Sequence, residues 1–400
     1  MTPMTSMTGS VGLFTYSTVP RGSVVHTAHL ADGLVEAGWD VTLYALDKDG
    51  RGFFRPTRAR QCLVPAGPAP GADTAALVAQ RTEELADYLL RARPLHDLFH
   101  AQDCLSASGL LAVRARGLPV RIVRTVHHVE RFVDPDLDAC QTRSIREADL
   151  CLTVSAAARR DVAAGFGVQS AVVGNGVDCL RFARPAVERV RAWRDRLLGG
   201  AAQAPGPVVL AVGGIEPRKN SLRVLAAFAR VRAHHPRAQL WLLGGATVLD
   251  HGAYRAAFWQ AHAALPADIR SGVVELGVLG EDDVPSIFHL ADALVMPSLH
   301  EGFGLAALEA LAAGIPLVAS ARPPFTEFLD PSCAILVDPE DEAAIADGLL
   351  TALRADDEPR RAAGRRRAAA HGWAGVALRH GVHYERTIRH ARDALHGSLA

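Results

Sequence analysis

Short apolar runs alternate with amphipathic stretches from one end of the chain to the other, the pattern of α/β units on parallel sheets. In the first half the runs 11–16, 40–46, 97–100, 120–126, 150–154 and 171–173 predict strands. After the first of them Val24, Val25, Ala28, Leu30, Ala31, Leu34 and Val35 recur close to the i, i+3, i+4, i+7 spacing of a helix, and Gly38 stands where a helix-ending glycine belongs. The stretch 48–75 carries no such period and reads as a loop. At 184–207 the pattern breaks into a charged segment followed by Gly, Ala and Pro, which predicts a linker. It restarts with strands expected at 207–212, 239–243, 272–276, 293–296, 315–319 and 334–337. From Asp341 onward three helices are expected, the last over about 372–396. The organisation that follows is an N-terminal α/β domain over 1–190, a linker at 191–206, a second α/β domain over 207–371 and a terminal helical segment over 372–400.

Composition narrows the class. Four hundred residues, 49% hydrophobic and 22% charged, fit two or three globular domains and exclude a disordered chain. Lys plus Arg (43) equals Asp plus Glu (43), so nothing global argues for nucleic-acid wrapping. Only Lys48 and Lys219 are lysine; every other basic residue of that set is arginine. No apolar run is long enough to span a bilayer, and the N-terminus lacks the layout of a signal peptide, so a cytoplasmic protein is expected. The six cysteines form no C-x-x-C pair, and the 17 histidines show no H-E-x-x-H or Cys/His ligand set; reduced thiols and no metal site are expected. Residues 354–400 hold ten Arg against five Asp or Glu, a net of +5 that leaves −5 on the rest. Two readings of that basic coda stay open: a solvated helical face, or contact with an anionic membrane surface carrying a lipid acceptor.

In open parallel sheets ligands bind beyond the carboxyl ends of strands, so the chemistry belongs in the loops there. Three constellations occupy such loops. In the first, 297–316, the run 293–296 feeds a loop with Glu301, Gly302, Phe303 and Gly304, and a helix follows until Gly314. The glycines let a ligand approach the backbone, and the helix N-terminus offers N–H groups and a positive dipole end to phosphate. Glu309, five residues inside that helix, suits a ribose diol, whereas Glu301 in the loop suits sugar hydroxyls. The second, V-G-G-I-E-P-R-K-N at 212–220, places Gly213 and Gly214 directly after a strand, with Arg218 and Lys219 just before a helix. An ammonium and a guanidinium side by side suit a diphosphate. The third lies in the first half: the loop 18–23, which contains Gly22, and a strand ending in T-V-H-H, which puts His127 where it can orient a sugar hydroxyl.

Together these residues resemble the retaining GT-B glycosyltransferases of family 4. The resemblance rests on the Glu301 to Glu309 element with its Gly-Phe-Gly, on E-P-R-K-N (216–220), on A-D-L-C-L-T-V-S (148–155), on N-G-V-D (175–178) and on the stretch 276–298. It implies two Rossmann-like α/β domains facing a cleft, with a C-terminal helix returning to the first. It implies Arg218 and Lys219 on the diphosphate of a nucleotide-sugar donor, Glu309 on its ribose and Glu301 on the sugar hydroxyls. Phe303, Gly304 and Leu305 would present amides to the phosphates, His127 would lie beside the transferred sugar, and Gly22 would approach donor or acceptor. A divalent metal is usually not needed in such enzymes, so no cofactor is expected. The expected partners are a nucleotide-sugar donor and a small-molecule, glycan or lipid-linked acceptor, with weak peripheral contact at the inner face of the membrane as the open alternative. Two departures stand out: where many relatives have Gly-Arg before the lysine and a glycine after it, this chain has Gly213-Gly214 and Asn220, with Arg218 nearby to supply the guanidinium, and the usual Gly-Gly of the N-terminal loop is Gly22-Ser23.

The implied reaction keeps the anomeric configuration, with the departing phosphate oxygen taking the acceptor's proton. Neither carboxylate-bearing loop supplies the close pair of a retaining glycosidase. The alternatives are a sugar-nucleotide epimerase or hydrolase on the same architecture, or a non-catalytic nucleotide-sugar-binding protein. A dinucleotide-dependent dehydrogenase is disfavoured, because no strand is followed by G-x-G-x-x-G with an acidic partner.

Overall fold

A computed structural model describes residues 9–69, 71, 73–199, 206–245, 251–354 and 357–397. It divides into two units: the chain up to Gly176 together with Trp373 onward, and Val177–Gly372.

The first unit opens with β1 (Ser10–Thr15), α1 (Gly22–Glu36), β2 (Asp40–Asp47), β3 (Arg60–Pro65) and α2 (Thr74–Ala92). It continues with β4 (Leu98–Ala101), α3 (Cys104–Ala115), β5 (Ile122–Val126), α4 (Pro135–Arg146), β6 (Leu150–Thr153), α5 (Ala156–Phe166) and β7 (Ala171–Val172). Its strands form one parallel sheet in the order β3-β2-β1-β4-β5-β6-β7. Central strands such as β1 and β4 are buried along nearly their whole length, which is why they read as mostly apolar runs without polar alternation. Strand β3 lies within 48–75, where the sequence predicts a loop. It is an edge strand, Arg-Gln-Cys-Leu-Val-Pro, of which only Val64 is buried, so neither a continuous nor an alternating apolar signal marks it.

The second unit begins with α6 (Cys179–Ala183), α7 (Val187–Leu198), β8 (Val208–Val212), α8 (Ser221–His234) and β9 (Gln239–Leu243). Then come α9 (Gly252–Ala264), α10 (Ala267–Arg270), β10 (Val273–Gly277), α11 (Val284–Leu290), β11 (Ala293–Met296) and α12 (Leu305–Ala313). It closes with β12 (Leu317–Ser320), β13 (Ile335–Val337), α13 (Glu342–Ala352) and α14 (Glu358–Ala369). The sheet is again parallel, β10-β9-β8-β11-β12-β13. Its core on one face joins Phe228, Val231, Leu240, Phe258, Val295, Ile345 and Leu349 from strands and helices far apart in sequence.

The segment expected to be a linker is placed differently. Residues up to 198 form α7, which is held to the second unit by Arg189 ion pairs with Asp282 (3.3 Å) and Asp283 (2.8 Å). Val190 is the one residue of α7 that is buried, so the helix looks solvated from its composition while its anchors lie some ninety residues away. Residues 200–205 of that expected linker lie outside the described residues. The chain passes between the units at 176–177 and 372–373. The two crossings are neighbours: the Val177 N–H donates to the His371 carbonyl at 2.9 Å.

The last helix, α15 (Trp373–Gly397), belongs to the first unit. Its buried stripe, Val376, Ala377, His380, Tyr384 and Ile388, repeats at helical spacing and packs with Leu30, Leu34 and Trp39. Tyr384 meets Trp39 edge-to-face at 5.2 Å. Among the described residues no helix is long and apolar enough to cross a membrane.

Candidate active site

The loop after β8 and the loop after β11 converge within the second unit. Gly213 (φ 120°) and Gly214 (φ 78°) turn the chain sharply at the end of β8. A Cβ on Gly213 would lie 2.4 Å from Cε of Lys219, and one on Gly214 2.6 Å from the Gly245 carbonyl oxygen, so only glycine fits either place. The lysine stem therefore runs across bare backbone. Pro217–Lys219 form a 3₁₀ turn that ends at Asn220, a left-handed residue (φ 62°) leading into α8. The departure from glycine at this position now has its reason: asparagine tolerates the left-handed conformation better than other side chains. It also adds anchors, because its Nδ2 donates to the Pro297 carbonyl at 3.1 Å and the Pro339 carbonyl at 2.6 Å. The Leu299 N–H donates to the Arg218 carbonyl at 2.9 Å and completes the stitching of the two loops. Asn220→Ala loses two buried hydrogen bonds and adds backbone strain, and it is expected to cost about 2 to 4 kcal/mol in urea unfolding of the full chain. Asn220→Gly should recover only the backbone part.

The charged groups form one connected set. Arg218 Nε lies 3.0 Å from Glu216 Oε2, Arg218 Nη1 lies 3.3 Å from Glu301 Oε1, and Lys219 Nζ lies 2.6 Å from Glu301 Oε2. Glu216 is buried, with its side chain 2% exposed; Lys219 and Glu301 are mostly covered at 11% and 13%, while Arg218 is 31% exposed. Burial pushes the Lys219 pKa down, Glu301 works against that shift, and Arg218 adds to it. Two cations are thus held at close range by carboxylates that cannot relax away.

Gly304 (φ 99°) is the cap residue just before α12, where an added Cβ would meet Phe325 at 2.5 Å. No side chain caps this helix and its first turn carries no acidic residue, so its positive end stays available to an anion. Phe303 stacks on Phe328 (4.8 Å, interplanar 4°), which fixes the turn between Gly302 and Leu305. Glu309 is half-buried on the same helix, and burial raises its pKa to about 7; Arg181 opposes the shift and Glu281 adds to it. Arg181 and Glu281 pair at 3.1 Å.

The structure gathers Arg218, Lys219, Glu301, Gly213 and Gly214 directly, and sets Gly302, Phe303, Gly304, Leu305 and Glu309 on the same loop-helix element. Gly22 and His127 belong to the first unit. Gly22 is the first residue of α1 and has open space where a Cβ would be. His127, at the end of β5, has Nε2 3.0 Å from Gln102 Oε1 and its ring edge-on to His26 at 4.6 Å. Five participants carried no assigned role in the sequence: Glu216, Arg181, Glu281, Gly244 and Gly245. The last pair had a readable signal, since it follows β9 as Gly213-Gly214 follows β8, and Gly244 (φ 123°) packs against Gly213 and Gly214 backbone. Arg181 and Glu281, a hundred residues apart, had none.

Residues 201–369 match the family model "Glycosyl transferases group 1", and residues 20–181 match "Glycosyltransferase Family 4". Among curated relatives, a glycogen synthase of Mycobacterium tuberculosis is 30% identical over 68% of this chain and 63% of its own length. An MMP alpha-(1->4)-mannosyltransferase of Mycolicibacterium hassiacum is 30% identical over 73% of this chain and 71% of its own. The chain belongs to the group 1 glycosyl transferases. It spans a little under two thirds of the length of the glycogen synthase that it matches. Among solved structures, sucrose-phosphate synthase from Thermosynechococcus elongatus superposes with a TM-score of 0.77 at 22% identity, covering 94% of this chain and 98% of that one. Anabaena HepE in complex with UDP and glucose gives 0.71 at 17% identity over 92% and 97%. Likeness at this identity establishes the fold, and the fold of this family member is GT-B, with one parallel α/β sheet in each unit.

Proposed function

We propose that the protein is a retaining glycosyltransferase that moves a sugar from a nucleotide-diphospho-sugar to an acceptor hydroxyl. The observation that carries this reading is the convergence of Arg218 and Lys219 on Glu301, in the loop that leads into the uncapped N-terminus of α12. Two fixed cations and a helix end are what a departing diphosphate requires, since catalysis here is stabilisation of negative charge that grows as the glycosidic bond breaks. Glu301 holds both cations; as the phosphates engage them, its carboxylate turns to the donor sugar's hydroxyls. Glu309 accepts from the ribose, His127 orients the transferred sugar, and Gly22 gives donor or acceptor access to the backbone of the first unit. The names of the relatives, a glycogen synthase and a mannosyltransferase, support the same reaction class. In this reading Arg218, Lys219 and the N-terminus of α12 take the diphosphate directly, so we propose that no divalent metal is required, and transfer should be unchanged in EDTA.

The test is to incubate the full chain with α-linked nucleotide sugars and a panel of acceptors, and to read the anomeric coupling of the product by NMR. An α-linked product supports retention and a β-linked one overturns it. Epimerised or rapidly hydrolysed donor without acceptor would establish the epimerase or hydrolase reading, and binding without any turnover the non-catalytic one.

Donor binding should also depend on pH. The ribose diol is best held by the ionised form of Glu309, whose pKa of about 7 leaves the carboxyl mostly protonated at pH 6. Affinity for the nucleoside diphosphate is therefore expected to rise about tenfold from pH 6 to pH 8. In Glu309→Gln the part of that dependence owed to the carboxyl should be lost, leaving only what the second ionisation of the terminal phosphate contributes.

A further inference from the structure

The second of the two lysines has no part in the site above. Lys48 follows β2 directly and is exposed, and its Nζ sits 4.9 Å from the centre of the Tyr16 ring. Tyr16 follows the adjacent strand β1, and its hydroxyl accepts from Arg21 Nη1 at 3.1 Å. The Arg21 guanidinium carbon lies 6.0 Å from the same ring, so one aromatic side chain carries two cations. Arg21 is also the residue that precedes α1, a helix with no side-chain cap and no acidic residue in its first turn. The loops after β1 and β2 are tied together, because the Phe54 N–H donates to the Thr18 carbonyl at 3.1 Å. All of this lies at the carboxyl ends of two neighbouring parallel strands, where open α/β sheets take ligands.

The acids nearby are spent elsewhere. Asp47 accepts from the N–H groups of Gly50 and Gly52, and Asp103 accepts from Tyr16 N–H, Ser106 N–H and Ser106 Oγ. Glu84 is taken by Arg81 and by the Gly67 N–H. Among the described residues neither Lys48 nor Arg21 has an ion-pair partner. Partial burial lowers the Lys48 pKa, Arg81 and Arg21 add to that shift, and Asp103 and Glu84 oppose it. Two cations stacked on one ring, neither of them in an ion pair, gain from an external anion.

We propose that Lys48 and Arg21, with the N-terminus of α1, form a subsite for a phosphate monoester carried by the acceptor sugar. The occupant is a dianion with three oxygens: a compact ammonium, a guanidinium and helix N–H groups together match it. This deepens the glycosyl-transfer reading and rests on it. It predicts that the enzyme acts on sugar phosphates in preference to the neutral sugars.

The experiment uses the full chain with UDP, GDP and ADP each at saturation, so that the diphosphate site around Lys219 is filled. Hexose 6-phosphates, hexose 1-phosphates, inositol phosphates, inorganic phosphate and the matching neutral sugars are then titrated by calorimetry. At least one sugar phosphate is expected to bind, with its neutral counterpart weaker by tenfold or more. Lys48→Gln should weaken the phosphate on the order of tenfold and leave the neutral sugar unmoved, while Lys48→Arg keeps most of the affinity. Equal binding of phosphorylated and neutral sugars, unaltered phosphate affinity in Lys48→Gln, or binding lost only in Lys219→Ala would overturn the subsite. Failure of every nucleoside diphosphate to bind the unmodified chain would instead reject the donor reading. Lys48 is exposed, so unchanged thermal melting of Lys48→Gln serves as the folding control.

Discussion

Lys219→Ala is expected to lower turnover by on the order of 100- to 1,000-fold, the cost of losing one preorganised group that stabilises transition-state charge. The loss should fall on kcat more than on donor KM, because charge on the leaving phosphate peaks in the transition state and Arg218 still greets the ground-state donor. Lys219→Arg should not rescue it. The lysine stem crosses Gly213 so closely that a Cβ there would sit 2.4 Å from Cε, and a planar guanidinium is wider than the ammonium it would replace. The fold should survive. Glu301 loses its 2.6 Å partner but keeps Arg218 at 3.3 Å, so the penalty is about 1 to 3 kcal/mol rather than that of an isolated buried charge. Steady-state kinetics beside a thermal melt separates the two effects, and turnover near that of the unmodified chain would sink the diphosphate assignment.

The parts of this site that the sequence makes legible are those whose chemistry is local. Arg218, Lys219 and the Glu301 to Glu309 element each sit within a few residues of a strand end and a glycine, so spacing alone predicts loop, helix and charge. The central strands are legible for a similar reason, as burial on both faces leaves a continuous apolar run. Strand β3 is not, since an edge position lets Arg60 and Pro65 stand exposed at its ends. The boundary at 191–206 misleads because α7 is anchored by ion pairs rather than by an apolar face. Asn220 shows the reverse case: as a departure from a family pattern it looks like a loss, and only its backbone angle and its two distant carbonyl partners show that it keeps the turn. The histidines are the least legible of all, for their meaning comes from residues 26, 100, 127 and 380 meeting in one core.

That core should make the first unit sensitive to acid. His26 Nδ1 lies 2.9 Å from Asn175 Oδ1, which can only accept, so that nitrogen carries the proton and Nε2 is bare. His380 donates from Nδ1 to the Val376 carbonyl at 2.9 Å. Both Nε2 atoms are buried without a partner, so a second proton on either ring would find no acceptor. His100 is closed off by Tyr384 and Thr125, at 2.5 and 2.7 Å. Burial accordingly lowers the pKa of His26 to about 4 and of His380 to about 3, and holds His100 and His127 well below the ordinary value. The rings also stand close together, with His26 6.1 Å and His100 5.7 Å from His380, so each charge opposes the next. A base with a depressed folded pKa binds fewer protons folded than unfolded, so stability rises with pH; it is complete above about 6.5 and is lost as pH falls toward the folded values. His26 and His380 alone should remove about 5 kcal/mol between pH 7 and pH 4.5, comparable with the whole stability of many domains. Glu309 has the opposite sign, since its raised pKa makes the second unit gain stability as pH falls through 7. The two units should therefore part on acidification. Trp373, 5.3 Å from the His26 ring, reports on the first unit once the second unit's Trp193, Trp241 and Trp259 are replaced by Phe. Its fluorescence transition in urea is expected to move to lower urea steeply below pH 6, and His380→Phe should flatten that slope by about 1.4 kcal/mol per pH unit. A slope that His380→Phe leaves unchanged would show that this histidine does not govern the acid limit.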